Sequence, residues 1–232
     1  MANDVIVKQI VCLANSRKLS GRCLAGKMIK DGKAGDWVRP VSGAHDAVSE
    51  EERRYQNGTE PELLDIVQVP VVSSCSKDCQ TENWLLNPDY YWTKLGMLDR
   101  ADLSAFADPV APLWLDGEST VNGINDKISL GDATDLTSSL RFILVEHLIV
   151  SVFVPSAMFG SIKRRVQGRF EFSGVTYGLW ITDPIVEAKY LSQANGKYAM
   201  GQCYLTISIG EPYYGFCYKL IAAVIPCVGE VK

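Results

Sequence analysis

A mostly-β fold built from two small five-stranded barrels, with short helices, is what this sequence predicts, and three observations predict it. Apolar and polar residues alternate with period two at both ends of the chain. No long window carries a 3.6-residue apolar stripe, and the Val- and Ile-rich runs are bounded by Gly, Asn, Ser and Pro. The length of 232 residues suits one large domain or two small ones, with cores that need no disulfide or metal staples.

In the first half, strands are read over residues 5–13, 22–29, 37–41 and 64–72. Asn57-Gly58 supplies a turn inside an acidic stretch, and residues 89–107 have room for a short helix. Between 108 and 139 the breakers Pro109, Pro112, Gly117, Asn122-Gly123 and Gly131 read as loop, which places the domain boundary at 1–118 and 119–232. The second half offers strands over 141–154, 162–172, 175–182, 203–209 and 216–225. Each half therefore yields about five strands, the number in a small Greek-key barrel such as the OB-fold. The fold class is mostly β, two OB-like five-stranded barrels packed in one compact unit; a single larger sandwich is the alternative.

Composition sets the function classes. Apolar residues at 47% and charged residues at 22% are those of an ordinary globular protein, excluding disorder, collagen and coiled coil. The longest apolar stretch, 142–159, is broken by Glu146, His147 and Pro155 and is too interrupted to cross a bilayer. Asp4 stands where a secretory leader needs basic residues, and seven irregularly spaced cysteines fit reduced thiols, so a cytoplasmic location is expected. The net charge of -4 is unevenly spread: residues 1–39 carry +5, residues 40–118 carry -10 and residues 119–232 carry +1. A basic head beside an acidic middle makes the total a poor guide to any local field.

The hairpin over 162–182 is the most informative segment. Ser173-Gly174 as a two-residue loop fixes the register, pairing Phe172 with Val175, Phe170 with Tyr177 and Gly168 with Leu179 on the core face. The opposite face pairs Glu171 with Thr176, Arg169 with Gly178, Gln167 with Trp180 and Arg165 with Thr182, and Lys163 follows. Lys163, Arg165 and Arg169 beside Trp180 combine phosphate-attracting charge with a stacking platform; the bland alternative is a solvated sheet face covered by one aromatic. Arg164 falls on the apolar side, so either the strand bulges or Arg164 pairs with buried Asp183.

The connection over 14–21 brings Asn15, Arg17, Lys18 and Arg22 together with turn-forming Ser and Gly, a loop suited to an anion. Trp37 and Arg39 share a face of the third strand and repeat the aromatic-cation pairing. Taken singly, an exposed charged turn and a core Trp are the blander accounts. Glu211 and Lys219, around the Gly210-Glu211-Pro212 turn, are further polar candidates, with a turn carboxylate and a strand-edge lysine as the alternative. Enzyme signatures are sparse: His45 and His147 are the two histidines, and His147 is expected in the core. Cys75 and Cys79 are a weak zinc pair without partners, and no Gly-rich nucleotide motif occurs. Asp183 and Glu187 are a weak candidate metal pair for phosphodiester hydrolysis.

Residues 12–23 (Cys-Leu-Ala-Asn-Ser-Arg-Lys-Leu-Ser-Gly-Arg-Cys), Trp37-Val-Arg-Pro-Val-Ser42, Leu64-Asp-Ile-Val67, Glu82-Asn-Trp-Leu85, Thr182-Asp-Pro184, Ser208-Ile-Gly-Glu-Pro212 and Cys217-Tyr-Lys-Leu-Ile-Ala-Ala-Val224 together resemble the prokaryotic dual OB-containing domain family over nearly the whole chain. The resemblance implies two OB-like barrels and nucleic-acid recognition in systems that police foreign genetic material, with protein partners encoded in a defence operon. Residues 50–62 look like a variable insertion.

The functional expectation is a non-enzymatic module that binds single-stranded or structured DNA or RNA and needs no cofactor or metal. Phosphates would meet Arg17, Lys18, Arg22, Lys163, Arg165 and Arg169, and bases would stack on Trp37 and Trp180, with Asn15 and Arg39 beside them. Two alternatives stand against it. One is a small-molecule module taking a nucleotide or modified base between the barrels through residues 15–22, Arg39 and Glu211. The other is a metal-dependent nuclease.

Overall fold

The computed structural model describes residues 5–18, 21–43, 47–109, 112–155 and 163–227. Leu19, Ser20, His45 and Ile162, which enter the sequence reading, lie outside them. The chain divides into two compact units, Met1–Phe106 and Ala107–Lys232.

In the first unit, β1 (Ile6–Lys18), β2 (Gly21–Lys30) and β3 (Lys33–Val41) form a meander. The short helix α1 (Glu50–Arg53) follows, then β4 (Asp65–Ser74), β5 (Asn83–Leu86), β6 (Thr93–Met97) and a 3-10 helix, Arg100–Phe106. The strands run in the order β1-β2-β3-β5-β4 and close as β4 returns to β1, with β3 and β5 parallel and β6 added on β4. Closure depends on β1 serving two partners. Residues 6–11 pair with β4 and residues 10–18 with β2, with a register shift in the β2 pairing between Cys12 and Ala14. Ile10, Cys12, Leu24, Val38, Val67 and Val69 fill the interior.

The second unit holds β7 (Lys127–Ser129), α2 (Leu130–Ala133), β8 (Leu140–Phe153), β9 (Arg165–Phe172), β10 (Val175–Ile181), α3 (Pro184–Leu191), β11 (Gly196–Ile209) and β12 (Phe216–Pro226). Its barrel, β8-β9-β10-β12-β11 closing on β8 with β10 and β12 parallel, repeats the first topology strand for strand; β7 is added on β12. In both units a helix lies between the third and fourth barrel strands, and the chain order within the barrel is that of an OB-fold.

The second and third strands of each barrel are joined by a two-residue turn with both residues left-handed, Asp31-Gly32 at φ 51° and 72° and Ser173-Gly174 at 53° and 78°. This is the hairpin turn whose twist matches its strands. The register expected for the second of these hairpins is the one observed from Phe172-Val175 through Gln167-Trp180.

Several expectations need correction. Residues 107–118 belong with the second barrel, so the boundary lies at Phe106 rather than at 118. Asp108 exchanges hydrogen bonds with the Phe142 backbone, and the Leu113 amide donates to the Tyr177 hydroxyl. Residues 14–18 are paired strand rather than loop: Asn15 faces Leu24, Arg17 faces Arg22 and Lys18 faces Gly21. Arg164 does not pair with Asp183. It donates to Asn195 Oδ1 and to the carbonyls of Leu191 and Gln193, holding the end of α3, while Asp183 caps the start of that helix. His147 is exposed, because two register shifts in β11 between Ala199 and Cys203 break the alternation opposite it. The acidic segment 50–62 is anchored in the first barrel, where buried Tyr55 joins the core and donates to Asp65 Oδ2 at 2.9 Å.

Candidate functional site

In an OB-fold the outer face of the second and third strands, with the loops joining strands one to two and four to five, is the usual ligand surface. In the first barrel that face is covered by its own chain. Lys27, Trp37 and Arg39 project from it, as alternation requires, yet all three are buried. The Lys27 ammonium donates to the Phe106 carbonyl at 2.8 Å and lies 5.5 Å from the Trp37 ring centroid. Arg39 meets Glu82 at 3.1 Å with the two side chains 2% and 4% exposed. The 3-10 helix buries Leu103 and Phe106 and abuts β3. Trp37 and Arg39 are therefore interior residues and not the exposed aromatic-cation pair expected for ligand contact. Asn15 is also structural, its amide donating to the Pro61 carbonyl at 2.9 Å. Arg17 is exposed, and Lys18 and Arg22 are half-buried, at the end of the β1-β2 hairpin.

The second barrel presents the corresponding face as an open cleft. Trp180, half-buried on β10, lies beneath the Arg165 guanidinium, 4.1 Å from the ring centroid, and the Phe153 ring is 5.6 Å away, tilted by 31°. This pair borders a cleft of ≈ 710 Å³ walled by Tyr213, Tyr218, Lys127 and the segment from Ser119 to Asn122. Arg165 and Arg169 are exposed on the same outer face, and Lys163 is exposed just before the strand.

The remaining wall is held rigidly. Asp126, buried, accepts from the Thr120 amide at 2.7 Å and hydroxyl at 2.6 Å, while its carbonyl accepts from the Lys219 amide at 2.8 Å. Asn125 donates to the Thr176 carbonyl at 3.0 Å, and Ile124 forms an antiparallel bridge with Gly178. Gln167, expected to be solvent-facing, is buried under this segment and donates to the Asn122 carbonyl at 2.6 Å. The β11-β12 connection ends in a tight turn at Tyr214-Gly215, φ 48° and 78°, which lifts Tyr213 and Tyr214 out at 63% and 83% exposure. Their rings meet edge to face at 4.4 Å.

Lys219 is not a strand-edge lysine. Its ammonium is buried and donates to the Leu115 carbonyl at 2.7 Å and to Asp116 at 2.9 Å. Burial lowers its pKa, against the pull of Asp116. Asp183 is equally committed: Oδ1 accepts from the Ile185 and Val186 amides and Oδ2 from that of Val224. Its pairing with Glu187 is thus that of a helix cap and a first-turn acid. Among the described residues, no group of three or more His, Cys, Asp or Glu side chains is arranged to hold a metal.

Sequence reasoning missed Tyr213, Tyr218, Lys127 and the segment from Ser119 to Asn122. The first two had a readable signal, since aromatics around the turn between the fourth and fifth strands of an OB barrel fall at a ligand-bearing loop. The last two had none, because that wall is tied to the sheet by partners 45 to 51 residues away in the chain.

Topology and cleft together define an OB-fold binding module. The sequence model of the dual OB-containing domain matches residues 8–224, and the chain belongs to that family. No curated protein matches it. Among the described residues no helix is long and apolar enough to cross a membrane.

Proposed function

We propose that this protein binds single-stranded nucleic acid through its second barrel, as a recognition module and not as a catalyst. The observation that carries the reading is the Arg165-Trp180 stack at the rim of an aromatic-walled cleft on the ligand face of the barrel. A base stacks on Trp180 or between it and Tyr213, and the cations Lys127, Lys163, Arg165 and Arg169 draw the phosphates. By family resemblance, the module serves a cytoplasmic system that recognises foreign nucleic acid alongside protein partners.

A second reading, a free nucleotide or modified base, is favoured by the cleft's ≈ 710 Å³, which lies within the range of small-molecule sites. Fluorescence anisotropy with single-stranded DNA and RNA at two salt concentrations separates the two. Strand binding weakens steeply with salt, whereas a nucleotide held in one pocket changes little. Trp180→Ala is expected to weaken strand binding roughly 5- to 150-fold, the equivalent of one lost stacked base. Arg165→Ala is expected to reduce the salt slope by about 0.7. Wild-type affinity for neither strand nor nucleotide, or full affinity in both variants, would sink the assignment to this cleft.

A further inference from the structure

A second cleft, of ≈ 470 Å³, opens on the same barrel and is lined by Ser151, Phe153, Arg169, Asn195 and Lys197. Strand pairing connects it to the first. Leu220, Trp180, Gln167, Ser151 and Lys197 are successive cross-strand neighbours on β12, β10, β9, β8 and β11, so they form one transverse row over the outer surface. With strands about 4.8 Å apart, Trp180 and Lys197 stand about 14 Å from each other along that row.

Between the clefts stand two dividers. Phe153 packs against Trp180 and lines the second cleft. Gln167 accepts from Arg169 Nε at 3.2 Å and donates to Asn122 at 2.6 Å, which spends its amide on the protein. Ser151 is different: it is 6% exposed, lines the second cleft, and its Oγ has no hydrogen-bond partner. A buried hydroxyl left in that state costs free energy unless something outside the barrel satisfies it. The far wall is held in place by Arg164, whose guanidinium grips Leu191, Gln193 and Asn195. Arg169 and Lys197, both exposed, supply positive charge on either side.

We infer that this second cleft is a phosphate-and-sugar subsite for a nucleotide two or more steps along the strand from the one stacked on Trp180, so that the ligand is a single strand of several nucleotides crossing the barrel strands. The inference rests on the proposed function and deepens it. A nucleoside monophosphate has one phosphate and cannot engage both Arg165, stacked over Trp180, and Arg169, four residues further along β9, with Lys197 of β11. A duplex cannot place an unpaired base on Trp180 while its backbone follows the row.

The test is anisotropy with labelled oligothymidylate and oligouridylate from dinucleotide to dodecamer. Wild-type affinity is expected to rise about tenfold or more between dinucleotide and hexanucleotide, within the range that added stacked bases give. Lys197→Ala removes that rise and leaves dinucleotide binding unchanged, Arg169→Ala weakens both, and each lowers the hexanucleotide salt slope by about 0.7. Ser151→Ala, which breaks no hydrogen bond within the protein, weakens the hexanucleotide several-fold. Unchanged near-ultraviolet circular dichroism confirms that the variants fold. An affinity plateau already at the dinucleotide, a duplex bound as tightly as the single strand, or hexanucleotide binding unaltered in Arg169→Ala plus Lys197→Ala overturns the subsite while leaving the Trp180 cleft standing. Absence of wild-type binding to every oligonucleotide overturns both.

Discussion

Arg39 and Arg165 are the same residue type on outward-facing positions of barrel strands, and their surroundings give them opposite roles. Arg39 is shut against Glu82 and beneath the cover of its own barrel, whereas Arg165 lies over an indole at the edge of a cleft. Removing one partner of a buried ion pair leaves a desolvated charge without compensation, so Glu82→Gln is expected to lower unfolding free energy by about 3–5 kcal/mol, read from the urea midpoint. Arg165→Ala is expected to move that midpoint by less than about 0.5 kcal/mol while weakening ligand binding. A Glu82→Gln protein of wild-type stability would show that the pair is not closed off from water. Alternation gives the facing of Arg39 correctly but cannot report what covers that face, because the cover comes from Glu82 and residues 100–106, far along the chain. Arg165 is exposed, as its place in the alternation predicts, so for it the local pattern is sufficient.

At the level of elements, the strands legible in the sequence are those whose own residues supply the signal. The hairpin β9-β10 and strands β8 and β12 are rich in Val, Ile, Leu and aromatics and punctuated by turn residues. β5, β6 and β7 are only three to five residues long, and the first half of β11, Gly-Lys-Tyr-Ala-Met-Gly, has weak strand preference. These segments are strands because a neighbour presents an edge to them, which no local pattern reveals. Barrel closure also sets the glycines. A Cβ on Gly26 would lie 2.1 Å from the Val11 carbonyl oxygen, where β1 bends between its two partners. At Gly168 it would meet the Ile221 Cδ1 at 2.4 Å, the movable end of a side chain. Gly26→Ala must shift backbone and is expected to cost more than about 3 kcal/mol, while Gly168→Ala, relieved by rotation of Ile221, costs about 1–3 kcal/mol. Urea denaturation of the two variants checks the order; equal losses would mean that β1 can yield at its bend.

For the molecule as a whole, both barrels bury groups that must keep their protons, and this fixes how stability responds to alkali. All seven cysteines are free thiols. Cys12 is pushed up from 9.0 to about 12 by burial and by Asp65, and Cys203 from 9.0 to about 12 by burial and by Cys227. Tyr55 and Tyr177 are raised above 10.0, chiefly by burial, with Asp65 and Asp116 accepting from their hydroxyls. In the unfolded chain these groups lose their protons near their ordinary values, while the native state still holds them. Their contribution is therefore intact below pH 9.0 and is lost as the pH rises toward about 12. Lys219 acts in the opposite sense: its folded pKa is lowered, the unfolded chain binds the extra proton below 10.5, and its own contribution grows as the pH rises to that value. Two thiols and two phenols outweigh one amine, so the urea midpoint under reducing conditions should fall steadily from pH 9 upward. Cys12→Ala plus Cys203→Ala, although less stable at neutral pH through the cavities it leaves, should lose less over the same interval. A midpoint that stays level to pH 11 would mean that water reaches these groups in the native barrels, and the closed interiors drawn from the strand order would have to be abandoned.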